Sequence, residues 1–343
     1  MQCSTVRECQ RQRLLRAITA VWAGLWLGAA TAATPVPAKP PLSIAFVYAT
    51  PVGTAGWTYQ HHMGRLWLEK NLGGAVQTRF VENVADDAET ERVLRELVAQ
   101  GHRLIFATSE AHRAAVLRVA PEFPQVAFES MGDGREALRA NASAHANVSP
   151  YSVRADQGRY LAGLVAGKMS RTGRVGHVAG VQNPAAVQAL DAFMRGLRAV
   201  NPKAQVQAIW LNTPFNPAKE REAAERLVRD GVDVLTQLRG TSAVAEVAEA
   251  HAGQGVRLLG DQSDLRPFAP TAQLTSSTLH WGDRYTAVAR AVIAGTWKPR
   301  PFLGGVRERV VRLAPYSDEV PRDVQRQVNE VERAMAAGRG PAH

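Results

Sequence analysis

From Leu42 onward, short apolar runs alternate along the chain with helix-length amphipathic segments. The runs "LSIAFVY", "VQTRFVE", "LIFAT" and "QVAFES" lie between Leu42 and Ser130. A second set, "RVGHVAG", "VQAIWL", "VDVLTQ" and "VRLLG", lies between Arg174 and Gly260. Strands separated by helices predict an α/β fold with mainly parallel sheets, because a parallel pair needs a long crossover that a helix supplies. Two successive sets of four strands predict two similar lobes. Helix punctuation agrees: Asp86 or Asp87 suits the cap of a helix running to Gln100, and Gly101 suits its left-handed stop. In "NPAKEREAAERLVRDG", Asn216 is placed to cap, Pro217 to take the first helical position and Gly231 to end the helix. After Gly260 the chain reads as a strand at "QLTSST", a helix from Trp281 to Gly295, the segment "ERVVRLA" and a last helix over Val320 to Ala336.

Ligands of open α/β sheets bind beyond the carboxyl ends of the strands, so a cleft between two such lobes is the expected site. This gathers Thr50–Trp57, Thr108–His112, Glu129–Gly132, Asn212–Phe215, Gln237–Gly240 and Asp261–Asp264 around one cavity. Candidate ligand-binding residues are Trp57, Glu129, Asn212, Phe215, Arg239, Asp261, Gln262 and Asp264. Trp57 is conspicuous, a large ring at a strand rim where a helix should begin.

The 343 residues exceed one average domain, and 45% hydrophobic with 21% charged residues is an ordinary globular composition. The N-terminus is different in kind. Arg7, Arg11, Arg13 and Arg16 precede the uncharged stretch "AITAVWAGLWLGAATAATPVPA", whose Ala17–Gly28 core is short for a bilayer span and whose Ala30 and Ala32 fit a small-x-small cleavage site. Residues 1–32 are therefore expected to be a cleavable secretory signal and the mature chain to be periplasmic. Cys3 and Cys9 precede that core, so the mature chain would hold no cysteine for a disulfide or a lipid anchor. Of the +10 net charge, the four arginines against Glu8 supply three, leaving +7. The remaining arginines are scattered among acidic residues, which argues against a nucleic-acid partner.

No catalytic constellation is evident. The sequence has no G-x-S-x-G, no G-x-G-x-x-G after the first strand and no H-E-x-x-H. "GLVAGK" is one residue short of a phosphate loop and lies in a helical pattern, so it reads as helix. His61 and His62 are adjacent and lack a third spaced ligand, which does not make a metal site. Asp261 and Asp264 suit ligand binding or turn capping better than acid–base work, because no nucleophile or activated water can be assigned beside them. The chain is expected to be a binding protein with no metal and no cofactor.

Several segments in order resemble a known family: "IAFVYATPVGTAGWTYQHHMGR", "FVENVADDAETERVLRELVAQGHRLIFATS", "GRYLAGLVAGKMSRTGRVGHVAG", "AFMRGLRAVNPKAQVQAIWLNTPFNPAKEREAAERLVRDGVDVLTQ" and "GTWKPRPFLGGV". They are similar to the basic membrane protein family, substrate-binding proteins of ABC-type importers related to the purine nucleoside receptor. The resemblance runs from Ser43 to about Ala314. It implies a type I periplasmic-binding-protein fold, two Rossmann-like lobes with parallel sheets joined by three crossovers, and a purine or purine nucleoside in the cleft. Residues 33–150 plus about 273–300 are expected in the first lobe, and 151–272 plus about 301–343 in the second.

On this resemblance Trp57 matches the aromatic that stacks on the purine, and Glu129 falls where an acidic or polar group ends the fourth strand. Other positions depart from the family. Its second aromatic falls at Pro214, leaving Phe215 to substitute. Its ribose-binding aspartate falls at Gln262, next to Asp261, and its ribose-binding lysine falls at Leu279. Glu110, His112 and Arg239 stand where aromatic or small polar residues are usual. The expected function is capture of a small heterocycle, a purine base, by a monomeric protein that delivers it to an importer permease. A ligand-sensing protein for a membrane receptor and a nucleoside hydrolase are the alternatives.

Overall fold

The structure is a computed structural model, and it describes residues 40–132, 146–238 and 240–340. The expected signal segment and Arg239 therefore lie outside the described residues. The first sheet holds β1 (Leu42–Val47), β2 (Val76–Val81), β3 (Leu104–Ala107), β4 (Ala127–Met131), β5 (Val148–Val153) and β11 (Phe302–Gly304), in the order β11-β5-β4-β3-β1-β2, all parallel. The second holds β6 (Arg174–Ala179), β7 (Gln205–Trp210), β8 (Val234–Leu238), β9 (Arg257–Gln262), β10 (Gln273–Leu279) and β12 (Val311–Leu313), in the order β12-β10-β9-β8-β6-β7. Only β12 runs antiparallel to its neighbour, β10.

Both faces of each sheet are covered, which is why the central strands read as continuous apolar runs. Along β1, Ile44 and Phe46 enter one core cluster and Ala45 and Val47 enter another on the opposite face. The first cluster is built with α1 (Trp57–Leu72) and α8 (Gly282–Ile293), the second with α2 (Asp87–Ala99) and α3 (Arg113–Val119). The second sheet is covered likewise by α4 (Ala155–Met169), α5 (Pro184–Val200) and α9 (Arg322–Ala336) on one face, and by α6 (Pro217–Arg229) and α7 (Ala243–Ala250) on the other. The predicted caps form: Asp86 accepts from the Glu89 N–H and Asn216 from the Lys219 N–H, while Gly101 and Gly231 take φ of 87° and 82°.

The "GLVAGK" segment is helical, within α4, and its first glycine has a packing reason. A Cβ on Gly163 would sit 2.1 Å from the Phe193 carbonyl, and one on Gly196 2.1 Å from that of Tyr160. Hydrogen at these positions lets α4 and α5 pack backbone to backbone.

The chain passes between the lobes three times, from β5 into α4, from β10 into α8 and from β11 into β12. Sheet membership departs from the expected segmentation at two strands. Residues 273–279 (β10) pair with β9 in the second sheet, and β11 pairs with β5 in the first. Strand character is local, whereas the choice of sheet depends on which edge is open. Two strands also escaped the apolar pattern: β5, "VSPYSV", is interrupted by Pro150, and β11 is only three residues long.

Candidate functional site

A cavity of about 320 Å³ lies between the lobes at the carboxyl ends of β1, β3, β6, β7 and β8. The first lobe contributes Ala49–Pro51, Ala55–Thr58 and Ser109–Ala111. The second contributes Gly180, Val181, Asn183 and Ala186, then Pro214, Phe215, Leu238 and Gly240. Of the expected segments, those at Thr50–Trp57, Thr108–His112, Asn212–Phe215 and Gln237–Gly240 reach its wall. The segment after β6 was missed, although Asn183–Pro184 carries the same cap signal as Asn216–Pro217, and Asn183 does accept from the Ala186 N–H.

Trp57 is the first residue of α1 and lines the cavity half-buried. Its indole Nε1 donates to the Thr108 carbonyl at 2.8 Å, just beyond β3. His61, one turn on, packs its ring edge against the indole with centroids 4.8 Å apart and stacks flat on Trp281 at 4.9 Å. The His61 Nδ1 meets the Tyr285 hydroxyl at 2.5 Å. His61 is thus a buried support for Trp57, and among the described residues no cluster of metal-ligating side chains occurs.

Gly56 precedes Trp57 with φ of 88°, and a Cβ there would lie 2.6 Å from the Gly240 carbonyl. Only glycine fits both the dihedral and the approach of the second lobe. The Gly56 N–H donates to the Ser263 hydroxyl at 3.0 Å, and Gln60 Nε2 donates to the same oxygen at 2.8 Å. Without a side chain at Gly56, α1 has no side-chain cap, whereas α2, α5 and α6 are capped by Asp86, Asn183 and Asn216. The uncapped end opens on the cavity, where its N–H groups and helix dipole favour acceptor atoms.

Phe215 reaches the same cavity from the second lobe, 37% exposed, with Cε2 at 3.6 Å from the position of a Gly53 Cβ. Asn212 does not line the cavity. It turns the chain after β7 through a left-handed φ of 55°, a conformation that asparagine tolerates, and its N–H donates to the Gly180 carbonyl.

The four remaining described candidates lie elsewhere. Glu129 is buried on the α8 face of the first sheet, where its carboxylate accepts from Arg284 Nη2 at 2.8 Å and from Trp297 Nε1 at 3.0 Å. Burial pushes its carboxyl up from the ordinary value, opposed by the Arg284 charge and these hydrogen bonds. Asp261 is buried 3.6 Å from the fully buried Arg159, which also donates to Thr236 Oγ1. Gln262 is buried with φ of 63°, and Asp264 accepts from Gln273 Nε2 at 2.6 Å in a separate groove. Glu129 and Asp261 lie within β4 and β9, where strand alternation turns their side chains onto buried partners. His112 is likewise structural: its Nε2 donates to the Val84 carbonyl, and burial lowers its pKa.

A family model described as ABC transporter substrate-binding protein, PnrA-like, matches residues 42–340. A purine-binding protein of Brucella abortus is 37% identical over 321 residues, 94% of this chain and 87% of that protein. A putative ABC transporter glucose-binding protein of Haloferax volcanii is 28% identical, over 86% of this chain and 72% of that one. Among solved structures, an ABC-transporter solute-binding protein from Conexibacter woesei superposes with a TM-score of 0.73 at 25% identity, covering 88% of this chain and 98% of its own. One from Aeropyrum pernix superposes at 0.71 with 17% identity, over 87% and 92% of the two chains. The fold is that of type I periplasmic binding proteins.

Proposed function

This chain belongs to the basic membrane protein family of PnrA-like substrate-binding proteins of ABC transporters, and on that premise we propose that it captures a free purine base in the cavity between its lobes. The family is one of solute-binding proteins rather than enzymes. The observation that carries the purine reading is Trp57, whose indole is held by the Thr108 carbonyl on a cavity wall that Phe215 shares from the other lobe. A flat heterocycle gains about 1–3 kcal/mol from stacking on such a ring, and the name of the Brucella relative agrees with that ligand class.

The preference for a base over a nucleoside rests on two side chains. Leu279, at the position of the family's ribose-binding lysine, is buried in the second-lobe core, and Gln262, at that of its aspartate, is buried away from the cavity. Ribose hydroxyls would be desolvated there with fewer partners. Ligand contacts to both lobes favour the closed arrangement, and the three crossovers supply the hinge. The protein works as an exported monomer, its mature chain starting near Ala33, that passes the base to an importer permease.

Calorimetry with adenine and adenosine side by side, after a thermal-shift screen of bases, nucleosides and small carboxylates, tests this reading. Binding of the base tighter than the nucleoside supports it. Tighter adenosine binding overturns the base preference, and a carboxylate or sugar as the sole stabilising ligand overturns the purine reading.

A further inference from the structure

Among the described residues, Glu110 is the one ionisable side chain on the cavity wall. It opens the 3-10 turn Glu110–His112 directly after β3 and is solvent-exposed, and among the described residues its carboxylate makes no ion pair. The turn itself is held firmly. Ser109 Oγ accepts from the Ala111 N–H at 3.2 Å, the His112 N–H donates to the Ser109 carbonyl at 3.1 Å, and the His112 ring is anchored at Val84. Two residues before Glu110 stands Thr108, whose carbonyl fixes the Trp57 indole. One short segment therefore supports the stacking ring and carries the acid, and both line the wall of one cavity.

We propose that Glu110 reads the hydrogen-bonding edge of the base and selects a guanine-type edge over that of adenine. This rests on the purine-base reading above. An ionised carboxylate has two acceptor oxygens and no donor. Guanine presents two adjacent donors, the ring N1–H and the 2-amino group, which pair with both oxygens in charge-assisted hydrogen bonds. Adenine presents its 6-amino group beside the lone pairs of N1 and N7, so one carboxylate oxygen is satisfied and the other faces a lone pair. Glutamine at this position reverses the pattern, because a carboxamide donates and accepts side by side and matches the adenine N6/N7 edge.

The test is titration calorimetry of the full chain and of Glu110→Gln and Glu110→Ala, with guanine, adenine and their 9-methyl derivatives; methylation removes N9–H as a competing donor. The parent is expected to bind the guanine derivative at least tenfold tighter than the adenine one. Glu110→Gln should shift that ratio towards adenine by tenfold or more, and Glu110→Ala should bring it near unity, with melting temperatures close to the parent's. Purine binding with a ratio unmoved by either substitution overturns the role of Glu110 and leaves the purine reading standing. No binding of any of these purines by the parent overturns both.

Discussion

The indole N–H of Trp57 points at the carbonyl of Thr108, 2.8 Å away across the carboxyl ends of β1 and β3. That bond ties the ring's orientation to the backbone of the strand frame, beside the edge contact of His61. Trp57→Phe keeps an aromatic face and removes the bond, and it should weaken purine binding by about 0.5–1.5 kcal/mol. Trp57→Ala removes the face as well, and the loss should reach roughly 1–3 kcal/mol. Its cost in stability should fall below the about 3–5 kcal/mol of a fully buried tryptophan, since the ring is half-buried. Affinity and melting temperature on the two variants separate these effects.

Gly56→Ala should open the cleft. The new methyl would meet the Gly240 carbonyl at 2.6 Å and hold a φ of 88° that alanine disfavours. Small-angle scattering of the parent should show the radius of gyration falling on ligand addition, and the variant should show a smaller fall with weaker binding. An unchanged parent curve on saturation would argue for a rigid pocket.

Glu129→Ala should leave Arg284 without its buried partner and destabilise the fold by about 3–5 kcal/mol. Its ligand affinity, measured below the melting transition, should match the parent's, because Glu129 does not line the cavity. A selective loss of affinity with an unchanged melting temperature would return Glu129 to the binding site.

Acid should destabilise the protein in part through His177, which is fully buried and whose pKa is held well below the ordinary value by burial and then by Arg159. The unfolded chain takes up a proton near pH 6.5 that the folded chain refuses. The stability tied to this histidine is therefore present above that pH and lost as pH falls below it. Glu129 and Glu220, whose carboxyls are raised chiefly by burial, act in the opposite direction. Melting temperatures at pH 7.5 and 5.5 for the parent and His177→Phe isolate the histidine: the variant should lose less on acidification, and equal losses would contradict its role.

Much of the architecture was legible in the chain because it is written in local terms. Apolar runs, Asp86 and Asn216 caps, and Gly101 and Gly231 stops are properties of a few neighbouring residues, and each formed as read. The strand that carries Pro150 and the three-residue β11 were not legible, since their pairing is imposed by the sheet they join. That Trp57 and Phe215 lie at strand ends, where they line the cavity wall, was legible. The burial of Asp261 and Glu129 was not, because an acidic residue near a strand end looks alike whether it meets a cleft or a buried arginine.

The sequence by itself determined the α/β alternation, the two lobes and the strand ends where a cleft had to lie, through hydrophobic period and backbone preference. Only the tertiary structure decided which side chains face that cleft. Burying Glu129 against Arg284 and Asp261 near Arg159 depends on partners 155 and 102 positions away in the chain, and no local pattern encodes them. The same holds for Gly56, whose lack of a side chain is a requirement of the Gly240 carbonyl arriving from the other lobe.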